Sequence, residues 1–314
     1  MNYRMKNLTS IIIFLFVCQI ASTQDRALYT QYNLNPALIN PAYSGFVDDY
    51  SMLSFNYRNR WSSFPGSPHS YTFNYHTPVG DRLGLGATIF SENIASINRF
   101  RAQLAYAYKF RVDKYKVAIG LTTEYEKYSI DNGTVTNPFF DADDNLLLDA
   151  IEGIAFFDAT FGIYADYEDK FFFGISFPNL IRARLTDVLN AEESDESGLY
   201  YNIFLGYRYK VNNYDIVLEP SILVKDLRYQ PFQVDLNLKA NFLNDQLVGG
   251  ITYSVGAGSR FGVLVGTNIN KFSFNYSYDA SFEEFQQYNN GAHEITIGIK
   301  IDSKRQAVIQ KTDQ

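Results

Sequence analysis

Phe232-Gln233-Val234-Asp235-Leu236-Asn237-Leu238-Lys239-Ala240-Asn241-Phe242 alternates apolar and polar residues without a break. In an extended strand, successive side chains point to opposite faces, so one face of this stretch is wholly apolar and the other wholly polar or charged. A helix would scatter both sets around its circumference. The same pattern fills Phe100 to Phe110, where Ala102, Leu104, Tyr106 and Tyr108 oppose Arg101, Gln103 and Lys109. It returns in Tyr201 to Val211, with Ile203, Leu205, Tyr207 and Tyr209 opposite Asn202, Gly206, Arg208 and Lys210.

Extending this reading along the chain predicts about fourteen strands, over 51–58, 70–76, 83–91, 100–110, 116–128, 155–167, 170–177, 200–211, 214–225, 231–242, 247–255, 259–268, 272–278 and 293–301. Many reach the roughly 9 to 11 residues that a tilted strand needs to cross a bilayer. The connections sort by parity. Every second one is a tight turn, as at Pro78-Val79-Gly80-Asp81, Val112-Asp113, Glu168-Asp169, Asn212-Asn213, Asn244-Asp245 and Asn270-Lys271. The intervening ones are mostly long: Trp61 to His69, Glu92 to Asn98, Ser129 to Ile154, Asn179 to Leu199 and Asp279 to Ala292; those around Arg228 and Gly256 are short. Short turns at one end and long loops at the other are the habit of outer-membrane barrels, with both termini periplasmic. A soluble β-sandwich has no reason for such sorting. The fold class is therefore all-β, a transmembrane antiparallel β-barrel.

Composition agrees. The 314 residues are 46% hydrophobic and 19% charged, with a net charge of -7, which excludes a disordered chain and a basic nucleic-acid binder. Aromatic residues make up 17%, yet the mean hydropathy is close to zero, and there are no repeated apolar runs of the length a helical bundle requires. Mid-strand charges Arg101, Glu124, Asp158, Arg208, Glu219, Asp235, Lys239 and Glu294 all fall opposite the apolar faces. A charge facing lipid at the midplane costs roughly 2 to 4 kcal/mol, so these eight are expected to line a polar lumen. Tyr125, Tyr128, Tyr167, Tyr209 and Tyr278, near strand ends, are expected in the aromatic girdles.

Residues 1–23 read as a secretory signal peptide: Arg4 and Lys6 precede an apolar stretch from Leu8 to Ile20, and Ala21-Ser22-Thr23 offers a cleavage site. Cleavage removes Cys18, the one cysteine, and with it any disulfide or thiolate chemistry. Residues 24–49 form a polar segment without period-2 pattern, 50–301 the barrel, and 302–314 a periplasmic tail. The segment contains Asn35-Pro36 and Asn40-Pro41-Ala42-Tyr43-Ser44-Gly45. Proline excludes the preceding residue from the helical region, and an Asn side chain closes an Asx-turn, so two compact turns are expected. Fourteen strands enclose more space than their own side chains fill, which makes the lumen the natural place for this segment, as a plug.

Gln31-Tyr32, Asn35-Pro36 and Asn40-Pro41-Ala42-Tyr43-Ser44-Gly45, following a signal peptide and preceding a barrel, resemble the start of the PorP/SprF family of type IX secretion system outer-membrane proteins. A more distant likeness is to the long-chain fatty-acid transporter barrels, whose N-terminal hatch bears an Asn-Pro-Ala motif, as at Asn35-Pro36-Ala37 and Asn40-Pro41-Ala42. The first resemblance implies a non-enzymatic component of the secretion and gliding machinery. Its implied partners are outer-membrane lipids, the periplasmic ring lipoprotein, other type IX components and a secreted adhesin as cargo. The second implies the alternative, a hatch-gated transporter for a hydrophobic small molecule. The chain departs from many outer-membrane barrels in ending its last strand at Ile301 and adding a polar tail.

No catalytic, metal or cofactor site is assigned. His69, His76 and His293 are scattered, no Gly-x-Ser-x-Gly elbow occurs, and Gly256-Ala257-Gly258 lies in a hairpin turn. Asp141, Asp143, Asn145, Asp149 and Glu152 have calcium-loop spacing, but Leu146 stands where such loops need glycine, and a solvated acidic loop is the default. The long loops are acidic and are expected to favour a basic or calcium-bridged partner surface.

Overall fold

Each period-2 segment pairs antiparallel with its chain neighbours, and the last pairs with the first, so the sheet has no free edge. The computed structural model describes residues 29–131, 151–185, 198–227, 231–256, 259–282 and 290–302. The strands are β1 (Tyr50–Arg60), β2 (His69–Val79), β3 (Leu83–Ile94), β4 (Ile97–Val112), β5 (Tyr115–Ile130), β6 (Ile154–Tyr167), β7 (Phe171–Phe177) and β8 (Ala183–Arg184). They continue as β9 (Tyr201–Tyr207), β10 (Tyr209–Lys210), β11 (Ile216–Asp226), β12 (Gln233–Phe242), β13 (Leu247–Val255), β14 (Arg260–Ile269), β15 (Phe272–Ser281) and β16 (Ala292–Asp302). β8 is a two-residue pairing on β6, while β9 and β10 form one strand interrupted at Arg208, which leaves a closed barrel of fourteen staves. Closure runs from Tyr50↔Asp302 to Arg60↔Ala292 along β1 and β16.

The faces are inverted relative to a soluble protein. On β12, Leu236 and Leu238 are exposed, whereas Gln233, Asp235 and Asn237 are buried. On β4, Phe100, Leu104, Tyr106 and Tyr108 are exposed, and Arg101 and Lys109 are buried. An apolar outer belt is stable only against hydrocarbon, and closure satisfies every ladder hydrogen bond that lipid cannot. Tyr115 with Tyr167 and Phe171 with Tyr207 form tilted ring pairs on this belt near the short turns, with centroids 4.8 and 4.4 Å apart. The chain is an outer-membrane β-barrel.

The tight turns use left-handed residues at Gly80, Asp113, Glu168, Asp169, Asn213, Asn244, Asp245 and Asn270, as the twist of two-residue hairpins demands. Two local expectations change. The stretch Glu92 to Asn98 is not a long loop: β3 and β4 extend to Ile94 and from Ile97 and meet in a two-residue turn, with Ala95 left-handed (φ 50°). Ala95-Ser96 lacks the Asn-Gly type of signature, which is why the hairpin was not legible. Tyr128 does not join the outer girdle. Its parity on β5 follows Glu124 and Glu126, and it lies between the inward guanidinium groups of Arg99 (5.2 Å) and Arg182 (5.8 Å).

Candidate functional site

Residues 29–49 run inside the barrel as three short 3-10 turns, Gln31–Asn33, Pro36–Leu38 and Pro41–Tyr43. Both residues before proline stay out of the helical region, Asn35 at φ -138° and ψ 82° and Asn40, fully extended, at φ -141° and ψ 114°, as the clash with the proline ring requires. The two asparagines then differ. Asn40 closes an Asx-turn, its Oδ1 accepting from the Ala42 backbone N–H at 3.0 Å. Asn35 makes no such cap; its Nδ2 donates to Asn74 Oδ1 at 2.9 Å on the barrel wall.

The wall receives the motif on a row of small residues. Register pairs Gly84 with Ala107, Ala107 with Gly120, Gly120 with Gly162 and Gly162 with Ser176, so one inward position on each of β3 to β7 falls in a line across the strands. The chain from Ile39 to Gly45 lies along that line. The Ile39 carbonyl accepts from Ser176 Oγ at 2.7 Å on β7. Asn40 lies over Gly162 on β6, the Pro41-Ala42 backbone over Gly120 on β5, Ser44 over Gly84 and Gly86 on β3, and Gly45 against the Thr77 carbonyl on β2. A Cβ at Gly84, Gly120 or Gly162 would overlap the motif itself. Asn40 Nδ2 also donates to the carbonyls of Ile163 (2.9 Å) and Ile175 (3.2 Å). Gly45, at φ +65°, takes a conformation that a side chain disfavours, and it has no room for one.

Aromatic rings fill the remaining contact. Inward Phe90, Tyr164, Phe172 and Phe204 break the polar lining and pack against the segment: Tyr29 on Phe90 (6.4 Å), Tyr32 on Phe204 (5.8 Å), and Tyr43 and Phe46 on Tyr164 (5.0 and 4.8 Å). Edge-to-face pairs of this kind add about 0.5 to 1.5 kcal/mol each beyond burial.

Charged groups tie down both ends. Towards the long loops, Arg58 pairs with Asp279 and Glu294, each at 2.9 Å, and donates to Thr30 Oγ1 at 2.7 Å. The Thr30 N–H donates to Glu294 at 2.8 Å, and Gln31 Nε2 to the Glu294 carbonyl at 3.0 Å. Towards the short turns, Asp48 binds Lys109 (2.7 Å) and Lys116 (2.6 Å), and Lys109 also donates to the Gly45 carbonyl at 2.6 Å. Burial pushes the Asp48 carboxyl up, but the hydrogen bonds from Lys109 and Lys116 outweigh it and hold the group below the usual carboxylate range.

The eight charges singled out from sequence sit as follows. Arg101 stacks on Phe90 at 4.9 Å, and Glu124 accepts from Gln103. Asp158 accepts from Asn179 Nδ2 (2.6 Å) and from the Arg182 N–H (3.1 Å), folding the chain after β7 against the wall. Arg208 pairs with Asp166 (2.5 Å) and Glu219 (3.2 Å), and Lys239 with Glu219 (2.8 Å) while donating to the Asn33 carbonyl (3.2 Å). Asp235 pairs with Lys225 at 2.8 Å. Glu294 completes the set on Arg58. Sequence reading missed Arg58, Asp279, Lys225 and the Arg99–Glu126–Arg182 chain, whose pairs measure 2.7 and 2.8 Å. Glu126 shares the parity of Glu124, so the same rule extended by two residues finds it.

Because the segment leans on β3 to β9, a cavity of about 400 Å³ remains beside β11 to β16 and β1. Asn35, Asn56, Asn241, Ser273 and Lys239 are among the residues lining it. The sequence motif from Asp141 lies outside the described residues except at its end, and so do residues 1–23, read from sequence as a signal peptide, and most of the tail. Among the described residues no cluster of His, Cys, Asp and Glu fit to hold a metal occurs.

Solved barrels of similar shape include a Pseudomonas aeruginosa FadL homologue, with a TM-score of 0.52 and 12% identity over 84% of this chain and 92% of that one. Another is a mutant of TodX, a monoaromatic hydrocarbon channel, with a TM-score of 0.52 and 11% identity over 86% of this chain and 94% of that one. At such identities the likeness concerns the fold alone. Comparison with curated proteins by sequence returns no match. The family model for the type IX secretion system membrane protein PorP/SprF matches residues 21–299, from before the lumenal segment to within the last strand, and the chain belongs to that family.

Proposed function

We propose that the protein is a closed, non-enzymatic barrel of the type IX secretion and gliding machinery that supports export or surface attachment of a secreted adhesin. The observation that carries this reading is the seating of the motif: residues 39–45 cross the inner wall on a row of glycines and small residues and are clamped at both ends. A segment held by fitted backbone contacts, buried ion pairs and aromatic packing acts as a fixed plug. In this reading Gln31, Tyr32, Asn35, Pro36, Asn40, Pro41, Ala42, Tyr43 and Gly45 shut the lumen. The lumenal charges Arg101, Glu124, Asp158, Arg208, Glu219, Asp235, Lys239 and Glu294 hold the wall and plug together. Export then depends on surfaces: the short turns and tail at the periplasmic end for the ring lipoprotein and other machine components, the long loops outside for the adhesin.

The alternative, a hatch-gated channel for a hydrophobic molecule, draws on the FadL-like and TodX-like fold. It requires an apolar pocket in the lumen. The cavity beside the segment mixes apolar residues such as Leu38, Met52, Val217 and Val248 with Asn56, Asn241, Lys239 and Glu219, so it is not the wholly apolar pocket that this alternative requires. Deletion of the gene followed by proteomics of the cell surface tests the proposal. Loss of one or more large secreted proteins from the surface is expected; an unchanged surface with impaired uptake of a hydrophobic nutrient would replace it with the alternative.

A further inference from the structure

Pro220 lies within β11, in a sheet that has no free edge. Proline has no N–H for the ladder and is ordinarily confined to edge strands and bulges. The register identifies the residue that this leaves without a donor. Ser221 pairs with Gly206 and Leu218 with Tyr209, so Pro220 stands opposite Tyr207. The Arg208 N–H donates to the Lys170 carbonyl at 2.7 Å, on the β7 side. Backbone groups alternate in direction along a strand, so those of Tyr207 turn the other way, towards β11. The Tyr207 carbonyl therefore points at a residue with no N–H to give, and the strand breaks at this point into β9 and β10. In a wall that faces lipid, an unpaired carbonyl calls for a donor that comes with the lipid.

The same two residues line a groove of about 440 Å³, whose other side chains include Phe171, Leu205, Ile222 and Leu236. These four are exposed on the apolar outer belt, so the groove opens to lipid and not to the lumen. Its size lies in the range of small-molecule sites, roughly 300 to 1,000 Å³. The Phe171–Tyr207 ring pair sits near the short turns, at the girdle depth where lipid chains join their heads. Leu205, Ile222 and Leu236 lie farther from those turns, beside the hydrocarbon.

We propose that this groove binds a membrane lipid whose acyl chain is amide-linked, in the leaflet on the short-turn side. The chain lies along Leu205, Ile222 and Leu236, and the amide N–H donates to the Tyr207 carbonyl. At that depth an ester-linked phospholipid presents only acceptors, so it covers the groove without satisfying the wall. The charge of the head is not selected, because the adjoining turns mix exposed Lys170 and Lys210 with exposed Glu168 and Asp169. Pro220 is the specificity-determining residue. It withholds the donor that any other residue would supply within the sheet, and so leaves that bond to the lipid.

The test is native mass spectrometry of the full-length protein in an amine-oxide detergent, titrated with N-palmitoyl ceramide phosphoethanolamine and with dipalmitoyl phosphatidylethanolamine. The two lipids share a head and differ in the amide. The wild type is expected to hold the amide-linked lipid about tenfold more tightly, the worth of one hydrogen bond. Pro220→Ala restores an N–H opposite Tyr207 and is expected to abolish the preference while keeping the gel shift of a folded barrel. Equal affinity of the wild type for the two lipids overturns the proposal, as does a preference that survives in Pro220→Ala. Binding of an N-acylated lipopeptide in place of either free lipid assigns the groove to a lipoprotein and overturns it equally. Should Pro220→Ala fail to fold, Leu236→Trp fills the groove without touching the ladder; it is expected to lose the tightly held lipid, and undiminished binding overturns the proposal.

Discussion

Asn40 lies directly on Gly162: a Cβ on that glycine would overlap the Asn40 Oδ1 atom, which itself caps the Pro41–Tyr43 turn. One residue thus joins the lumenal segment's local structure to the wall, through Oδ1 to its own turn and through Nδ2 to two strand carbonyls. The contact is possible only because β6 has no side chain at that point.

Substitution at Asn40 separates these roles. Asn40→Ala loses the Asx-turn and both bonds to Ile163 and Ile175, with an expected loss of about 1 to 3 kcal/mol. Asn40→Asp keeps the cap but turns a carboxylate oxygen towards two carbonyls, so it is expected to be worse than alanine. Chemical denaturation of refolded protein in detergent, read by tryptophan-independent circular dichroism, ranks the two. An aspartate variant as stable as wild type would contradict the geometry.

The glycine row predicts an unusual sensitivity to small side chains. At Gly120 a Cβ meets the Ala42 and Pro41 backbone, which cannot rotate away. Gly120→Val is expected to cost about 1 to 3 kcal/mol by overpacking and to loosen the segment, while Gly249→Val, where the added atom meets only one ring carbon at 3.7 Å, is tolerated. Limited proteolysis of the segment in the two variants checks the difference.

Arg58 sits between two buried carboxylates. Arg58→Ala leaves Asp279 and Glu294 facing each other without their cation, for an expected loss of about 3 to 5 kcal/mol. Replacing all three together, Arg58→Met with Asp279→Asn and Glu294→Gln, is expected to recover most of it. Thermal unfolding of the single and triple variants tells them apart; equal losses would mean that the ion pairs are not what holds this end.

Asp48 gives the clamp near the short turns a defined pH dependence. Its carboxyl is depressed on folding, so its stabilisation is complete above the unfolded value of about 4 and is lost as the pH falls through the lower folded value. The wild type is therefore expected to exceed Asp48→Asn in stability at neutral pH. The gap closes only in acid, below the ordinary carboxylate range. A gap that persists unchanged there would contradict the assignment.

Much of the barrel was legible because lipid tolerates so few side chains. On Phe232 to Phe242 every second residue must be apolar, and the opposite face is free to carry Asp235 and Lys239. The parity rule failed where a residue near a strand end looked like a girdle tyrosine, as Tyr128 did, since both faces hold tyrosine there. The seat of the motif was not legible for another reason. Gly84, Ala107, Gly120 and Gly162 are ordinary small residues in sequence, and only the register of four strands aligns them. The signal that finds them is small residues at inward parity on consecutive strands at equal distance from the short turns. Inward Phe90, Tyr164, Phe172 and Phe204 point the same way, since a water-filled lumen has no use for them.

Single-channel conductance in planar bilayers shows whether the segment from Tyr29 to Asp48 shuts the lumen. Full-length protein is expected to show no steady conductance, and protein lacking residues 29–48 to show a stable open channel. Equal conductance from the two would mean that the segment does not close the barrel.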